Sequence, residues 1–326
     1  MKKIHLILKI LFFATFCLVI IITNLNRPKI FILYGGSPTS YVNENIKKGM
    51  ERNFNRYAYY RFKSYYLDVK DGDYHNELTR AYEVRKMIRK WSPDILICID
   101  DNAQNNVGKY FVNDKNIDII FSGVETPIEV YGYDKANNVT GIFRPEPLEA
   151  FKKLIMKMPD KKKFYFITDS SVSSFYSQKR IDDFNWEPIE LIKNIQCSNF
   201  EEWKSSIQEA QNNADFIVVY RFDLLIDVNR DSALKWLEEH SKIPYFSLRD
   251  TGGVITMTPS PLAEGEEIVE MGTSILEENK KTNDLPIIDI DNFIIFMRAK
   301  KMQEFNVVVP DVYVDFAKTI NTYSND

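Results

Sequence analysis

The sequence is short of several things. Its 326 residues hold only 12 glycines, three cysteines and three histidines. So few cysteines and histidines leave no zinc-ligand spacing, and no serine or cysteine is paired with a histidine base in the way nucleophilic catalysis requires. His5 lies in an apolar amino-terminal run, and His75 and His240 fall in stretches of helical periodicity. Cys98 and Cys197 sit in two separate apolar stretches, one in each half, and read as buried free thiols. The net charge is −4. There is no basic excess of the kind that marks a nucleic-acid partner. The Gly-x-Gly-x-x-Gly and P-loop spacings are missing, and so is the calcium-loop spacing. A carboxylate pair such as Asp100 with Asp169 is the only sign of hydrolase chemistry. The expectation is a protein with no cofactor, no metal and no enzymatic activity.

One long apolar run is present. Lys2 and Lys3 precede it, and it extends from Ile4 to Thr23, interrupted by His5 and Lys9. About twenty residues suffice to cross a bilayer, and a lysine near one end can snorkel to the headgroups. No small-x-small cleavage site follows a short apolar core, and bulky Phe16 precedes Cys17. Residues 1–27 therefore read as a retained signal-anchor rather than a cleaved signal. The basic amino terminus sets the body on the extracytoplasmic side, periplasmic or extracellular.

Beyond Pro28 apolar strand-like runs alternate with amphipathic helices. KIFILYGG, PDILICIDDN and IDIIFSGV are near-continuous apolar runs, as expected of parallel strands covered on both faces. Between them, residues 73–91 place Leu78, Ala81, Tyr82, Ile88 and Trp91 on one helical stripe. The rhythm resumes after the stretch NNVTGIFRPEPLEAFKKL (Asn137–Leu154), with KKFYFITDSS, a weaker strand near 187–195, DFIVVYRFD and IPYFSLRD. Asp94-Ile-Leu-Ile-Cys-Ile, a helix and Ile119-Ile-Phe-Ser are echoed by Asp215-Phe-Ile-Val-Val-Tyr, a helix and Pro244-Tyr-Phe-Ser. The pattern predicts an α/β protein with two doubly wound parallel-sheet lobes after an N-terminal transmembrane helix. Lobe 1 is expected over 28–140, rejoined by about 255–285, and lobe 2 over 141–254. Residues 286–326 are expected at the hinge or on either lobe.

Open parallel sheets bind ligands beyond the carboxyl ends of their strands, so the candidate residues are those that end the strands. In lobe 1 these are Gly36 and Ser37, whose backbone N–H groups suit a carboxylate, then Asp100, Asp101 and Asn102, then Ser122 and Gly123. A carboxylate among the second group grips an ammonium or caps the following helix. In lobe 2 they are Asp169 and Ser170, Tyr220 and Arg221, and Ser247 and Asp250. Arg221 is either a fork for a ligand carboxylate or one half of an ion pair with Asp223, Asp227 or another acidic neighbour. Thr140 and Gly141 mark the crossing between lobes and read as a hinge.

Three segments carry a resemblance. They are NNVTGI followed by PLEAFKKLIMKMP, then IPYFSLRDTGGVITMTPSPLAEGEEIVEMGTSILE, then DNFIIFMRAKKMQEFNVVVPDVYVDFAKTI. In that order the chain, from Lys29 to Ile320, resembles the ABC-transporter substrate-binding proteins of the tryptophan/tyrosine-binding type. It departs from them at Asp100-Asp101-Asn102-Ala103, where the family favours small residues. The resemblance implies a type I periplasmic-binding-protein fold. It also implies a solute-binding role, in which the protein closes on a small ligand, amino-acid-like or aromatic, for an ABC permease. The anchor supports an alternative: a ligand-binding sensory module that reports to a separate membrane signalling protein.

Overall fold

The computed structural model describes residues 2–25, 27–54, 59–68, 74–222, 225–249 and 252–325. Asp223 and Asp250 lie outside the described residues. The strands are β1 (Lys29–Tyr34), β2 (Arg61–Tyr66), β3 (Ile95–Ile99), β4 (Asp118–Val124), β5 (Val139–Phe143), β6 (Lys163–Asp169), β7 (Glu190–Cys197), β8 (Phe216–Val219), β9 (Tyr245–Phe246), β10 (Ile255–Pro259), β11 (Ile288–Asp289), β12 (Phe293–Arg298) and β13 (Tyr323–Ser324). The helices that matter most are α1 (Lys2–Leu25), α2 (Tyr41–Phe54), α3 (Tyr74–Trp91), α4 (Asp101–Asn106), α5 (Leu148–Met156) and α6 (Val172–Asp183).

The chain divides into two compact units. Unit 1 comprises Met1–Ser122, Tyr131–Gly141 and Gly265–Pro286; unit 2 comprises Gly123–Val130, Ile142–Glu264 and Ile287–Asp326. The first sheet has the order β11-β5-β4-β3-β1-β2. Its strands β2, β1, β3 and β4 pair in parallel, with Ile30 opposite both Phe62 and Ile95. All five residues of β3 are buried, as are Ile30 to Tyr34 of β1. Central parallel strands are covered on both faces, which is why their sequences read as unbroken apolar runs. The edge strand β2 is mostly polar and only partly covered.

The second sheet, in unit 2, has the order β7-β6-β8-β9, again all parallel. Counted within each unit, both sheets therefore begin 2-1-3-4, a doubly wound order. Aromatic packing fills the core of unit 2. Phe164 stacks on Phe216 at 5.1 Å, and Trp186 meets Phe164 edge-on at 4.9 Å. Burying each such ring contributes about 1.5–3 kcal/mol. Strands β10, β12 and β13 form a third, small sheet. Cys98 and Cys197 are free and buried.

Two expectations change. Leu78 and Tyr82 are not core residues: they are 47% and 50% exposed. The buried stripe of α3 is Ala81, Val84 and Ile88, and Leu78 and Tyr82 lie outside that arc of the helix. The helix α1 forms, and its large apolar side chains from Ile10 to Ile22 are about half or more exposed. Among the described residues, however, no helix is long and apolar enough to cross a membrane. The expected span over residues 1–27 is thus not found there.

The passages between units use glycine for two different reasons. Gly123 follows Ser122 with φ +67°, a left-handed conformation that favours glycine. A Cβ on Gly141 would lie 2.3 Å from the Phe121 carbonyl oxygen and 2.5 Å from its ring. Gly141 is needed for close packing of neighbouring strands.

Candidate functional site

In a doubly wound sheet the strand order reverses between the first and third strands, and ligands bind at the carboxyl ends there. In unit 1 this point lies between β1 and β3. The Gly35 N–H donates to the Ile99 carbonyl at 2.9 Å, and a Cβ on Gly35 would come within 2.9 Å of the Asp100 Cβ. Gly36 and Ser37 continue into a turn that satisfies itself. The Ser37 hydroxyl lies 3.0 Å from the Thr39 hydroxyl, and its carbonyl accepts from Asn43 Nδ2 at 2.8 Å. Asp100 caps α4, accepting from the Asn102 N–H at 3.0 Å with φ +83°. Its own N–H donates to the carbonyl of Ser122, which is fully buried. Asp101 accepts the Tyr131 hydroxyl at 2.7 Å, while Asn102 is exposed. The Thr140 hydroxyl donates to the carbonyls of Leu285 and Pro286 at 3.2 and 3.3 Å.

Unit 2 has its own reversal point, between β6 and β8, and a denser polar group gathers there. Asp169 ends β6 almost fully buried. It accepts from the Ser174 hydroxyl at 2.6 Å and the Ser171 N–H at 3.1 Å, and its own N–H donates to the Arg221 carbonyl. Ser170 is exposed. Tyr220 and Arg221 follow β8. The Tyr220 hydroxyl lies 2.7 Å from Glu146 Oε1 and 3.1 Å from Glu125 Oε2. Arg221 Nη2 donates to Glu125 Oε2 at 2.5 Å, and Arg249 Nη1 donates to the other oxygen, Oε1. Ser247, fully buried after β9, holds Arg249 in turn: its hydroxyl donates to the Arg249 carbonyl at 2.6 Å and accepts the Arg249 N–H at 3.1 Å.

The network continues through Arg180 on α6. Its Nε and Nη2 fork onto Glu146 at 2.7 and 2.9 Å, and its Nη1 donates to the Glu125 carbonyl at 2.9 Å. Arg144 makes a similar fork onto fully buried Glu264, with Nη2 to Oε2 at 2.9 Å. A cavity of about 540 Å³ in unit 2 reaches Glu146 and Arg180 and is otherwise lined by residues such as Pro147, Phe184, Phe293 and Tyr313. That volume suits a small molecule.

Electrostatics follow from these contacts. Burial works to raise the Glu125 carboxyl, but Arg221, Arg249 and Arg144 outweigh it and hold the group well below the usual carboxylate range. Burial acts likewise on Glu146, and Arg180 overcomes it, so Glu146 too is lowered. The Tyr220 hydroxyl is driven far up by burial, with Glu125 and Glu146 adding to the effect, so it stays a neutral donor. Arg221 Nε is buried and has no hydrogen-bond partner among the described residues. A buried donor of this kind costs about 1–3 kcal/mol unless it finds an acceptor.

Of the residues expected in lobe 2, Asp169, Tyr220, Arg221 and Ser247 thus meet in one network. Arg221 pairs with Glu125, 96 positions away in sequence. Sequence reasoning missed Glu125, Glu146, Arg180 and Arg249. A signal for the first two exists: Glu125-Thr-Pro and Arg144-Pro-Glu146-Pro are charged residues set beside prolines in segments that carry no helix or strand pattern.

The fold defined by these two open parallel units is that of type I periplasmic binding proteins. Solved structures carry this likeness. One is a conserved domain protein from Vibrio cholerae O1 biovar El Tor, 15% identical, with a TM-score of 0.67 over 92% of this chain and 100% of that one. A second is a ligand-free, open substrate-binding protein with adhesive properties from Clostridium difficile, also 15% identical, with a TM-score of 0.66 over 87% of this chain and 96% of that one. A third is an ABC domain in complex with L-Trp from Streptococcus pneumonia, 16% identical, with a TM-score of 0.61 over 88% and 98%. No family model matches the sequence, and no curated protein matches it.

Proposed function

We propose that this chain is an extracytoplasmic solute-binding protein, held at the membrane by its amino-terminal helix and delivering a small ligand to an ABC permease. The observation that carries the reading is the pair Arg221 and Arg249 at the carboxyl ends of unit 2 strands. Two guanidinium groups converge there, and one keeps a buried Nε without an acceptor among the described residues. Guanidinium forks suit carboxylates, and the neighbouring phenol of Tyr220 suits a polar or aromatic partner. The ligand class proposed is amino-acid-like or aromatic. Binding shifts an open–closed equilibrium of the two units.

The anchor rests on the apolar run from Ile4 to Thr23 and on the exposure of Ile10 to Ile22 around α1. So many half-exposed apolar side chains on one helix are costly in water and favour lipid or protein against them. The same tether favours a second reading, a sensory module working with a membrane signalling protein. Native mass spectrometry of gently purified protein tests the first reading. A co-purifying amino acid or aromatic acid is expected, and a protein that carries and binds none in a thermal-shift screen of such compounds defeats it. Amino-terminal sequencing of membrane-extracted protein tests the anchor: a mature chain beginning near 24–27 overturns it. Capture of a permease or of a signalling kinase by crosslinking in membranes separates transport from sensing.

A further inference from the structure

The opposite end of the unit 1 sheet carries a different chemistry. Strands β1 to β4 are parallel there, so their amino ends share one edge, away from the carboxyl ends that hold Gly36 and Asp100. Only residues 26–28 separate the end of α1 from the start of β1. The exit from α1 is therefore placed at this edge. Basic residues crowd it on the β1–β2 side. Lys29 and Arg61 are paired partners at the strand starts, and the Arg61 N–H donates to the Pro28 carbonyl at 2.8 Å. Lys29 Nζ reaches the Trp91 carbonyl at 3.2 Å, which brings the last turn of α3, with Arg89 and Lys90, to the same place. Lys63 Nζ lies over the Trp91 ring, 4.8 Å from its centre.

Aromatic side chains flank the start of β2, with Phe62 packed on Phe54 and Tyr60 on the face opposite Lys63. Tyr59 is 50% exposed and Phe62 is 43% exposed. Acids at the edge are engaged: Asp94 accepts the Lys29 N–H at 2.7 Å, Asp118 accepts the Thr282 hydroxyl, and Glu277 accepts the Tyr60 hydroxyl beside the start of β2 at 2.5 Å. The chain as a whole carries −4, so this cationic collar stands against the general charge. Lysines and arginines near half-exposed Tyr59 and Phe62 and a partly buried Trp91, close to the exit of α1, match the headgroup zone of an anionic bilayer. There each cation gains from the surface charge and each ring from the interface.

We propose that the amino-terminal edge of the unit 1 sheet, around Lys29, Arg61, Lys63, Lys90 and Trp91, docks on anionic phospholipid. The inference rests on the anchored reading, which brings this edge to a membrane. It implies that unit 1 rests on the bilayer while its strand carboxyl ends point away from it.

The test uses the full-length chain with vesicles of phosphatidylcholine alone, or with phosphatidylglycerol added, and follows hydrogen–deuterium exchange. Amides of residues 59–63 and 89–92 are expected to exchange several-fold more slowly on the phosphatidylglycerol vesicles. High salt should abolish that difference, and so should the double variant Lys63→Glu, Lys90→Glu, whose changes fall on exposed side chains. Equal exchange on both vesicle types overturns the proposal. Protection on both types that fades as the protein is diluted assigns the surface to a second copy of the chain and overturns it as well. Failure of the anchor gives a different result: the protein then stays off phosphatidylcholine vesicles altogether. Retention by phosphatidylglycerol vesicles alone would still support the collar, and retention by neither overturns it.

Discussion

Arg221 and Arg249 hold opposite oxygens of one carboxylate, that of Glu125. Arg221 Nη2 donates to Oε2 at 2.5 Å, and Arg249 Nη1 donates to Oε1. The two arginines end neighbouring parallel strands, β8 and β9, while Glu125 arrives from a segment far earlier in the chain. The arrangement makes Glu125 the keystone of the charge network in unit 2, and its removal has a calculable consequence.

Glu125→Gln keeps the shape of the side chain and removes its charge. Two largely buried guanidinium groups then lose their shared counter-ion. Breaking a buried pair from one side costs about 3–5 kcal/mol. Urea denaturation should show a loss in that range, with an unchanged slope. A loss under about 1 kcal/mol would mean that solvent or another acid compensates the arginines.

Acid should weaken the protein through the same groups. Glu125 and Glu146 are both lowered from an ordinary value of 4.5 in the folded state. A lowered carboxyl contributes its stability in full above the unfolded value and loses it as pH falls through that value toward the folded one. Melting temperature should therefore be steady above about pH 5 and fall steadily below pH 4.5. In Glu125→Gln the fall should be shallower. An identical acid slope in wild type and variant would show that Glu125 titrates alike in the folded and unfolded chain, so that the arginines do not hold its carboxyl down.

Arg221 has two partners under the reading proposed above, Glu125 and the ligand. Arg221→Ala should weaken ligand binding about tenfold or more, since a hydrogen bond to a charged group is worth roughly 1.5–3 kcal/mol. It should also destabilise the fold, because Glu125 keeps Arg249 but loses Arg221. Isothermal titration with the co-purified ligand, at a temperature where both proteins are folded, measures the first effect. Equal affinities would leave Arg221 a purely structural ion-pair partner.

Gly141 offers a control on packing alone. A Cβ there would press on the Phe121 carbonyl and ring at 2.3 and 2.5 Å. Backbone cannot yield as a flexible side-chain tip does, so Gly141→Ala should cost about 1–3 kcal/mol or more. Thermal melting reads this directly. A variant as stable as wild type would show that β5 shifts to make room.

How much of this was legible in the sequence depends on the range of the interaction. The strands β1, β3, β4, β6 and β8 could be read because a parallel strand covered on both faces must be apolar at every position, and that leaves a local mark. The α/β class, the helix periods and the residues at strand ends follow from the same short-range physics. That one of Asp100, Asp101 and Asn102 caps the next helix was readable too, since a cap acts two residues away; the structure gives that role to Asp100.

The tertiary structure alone decided which face of α3 is buried. Leu78 and Tyr82 fit a helical stripe in sequence, yet the sheet covers only the arc of Ala81, Val84 and Ile88. It alone decided the partner of Arg221. Local acids were the natural candidates, but the partner is Glu125, across 96 positions. It also decided that Lys29, Arg61, Lys63 and Lys90 share one edge, which depends on strand register and on where α3 ends. A sequence records what each residue needs from its neighbours in the chain. Which charges meet is set by the order of strands in a sheet, because a crossover brings together residues that no periodicity connects.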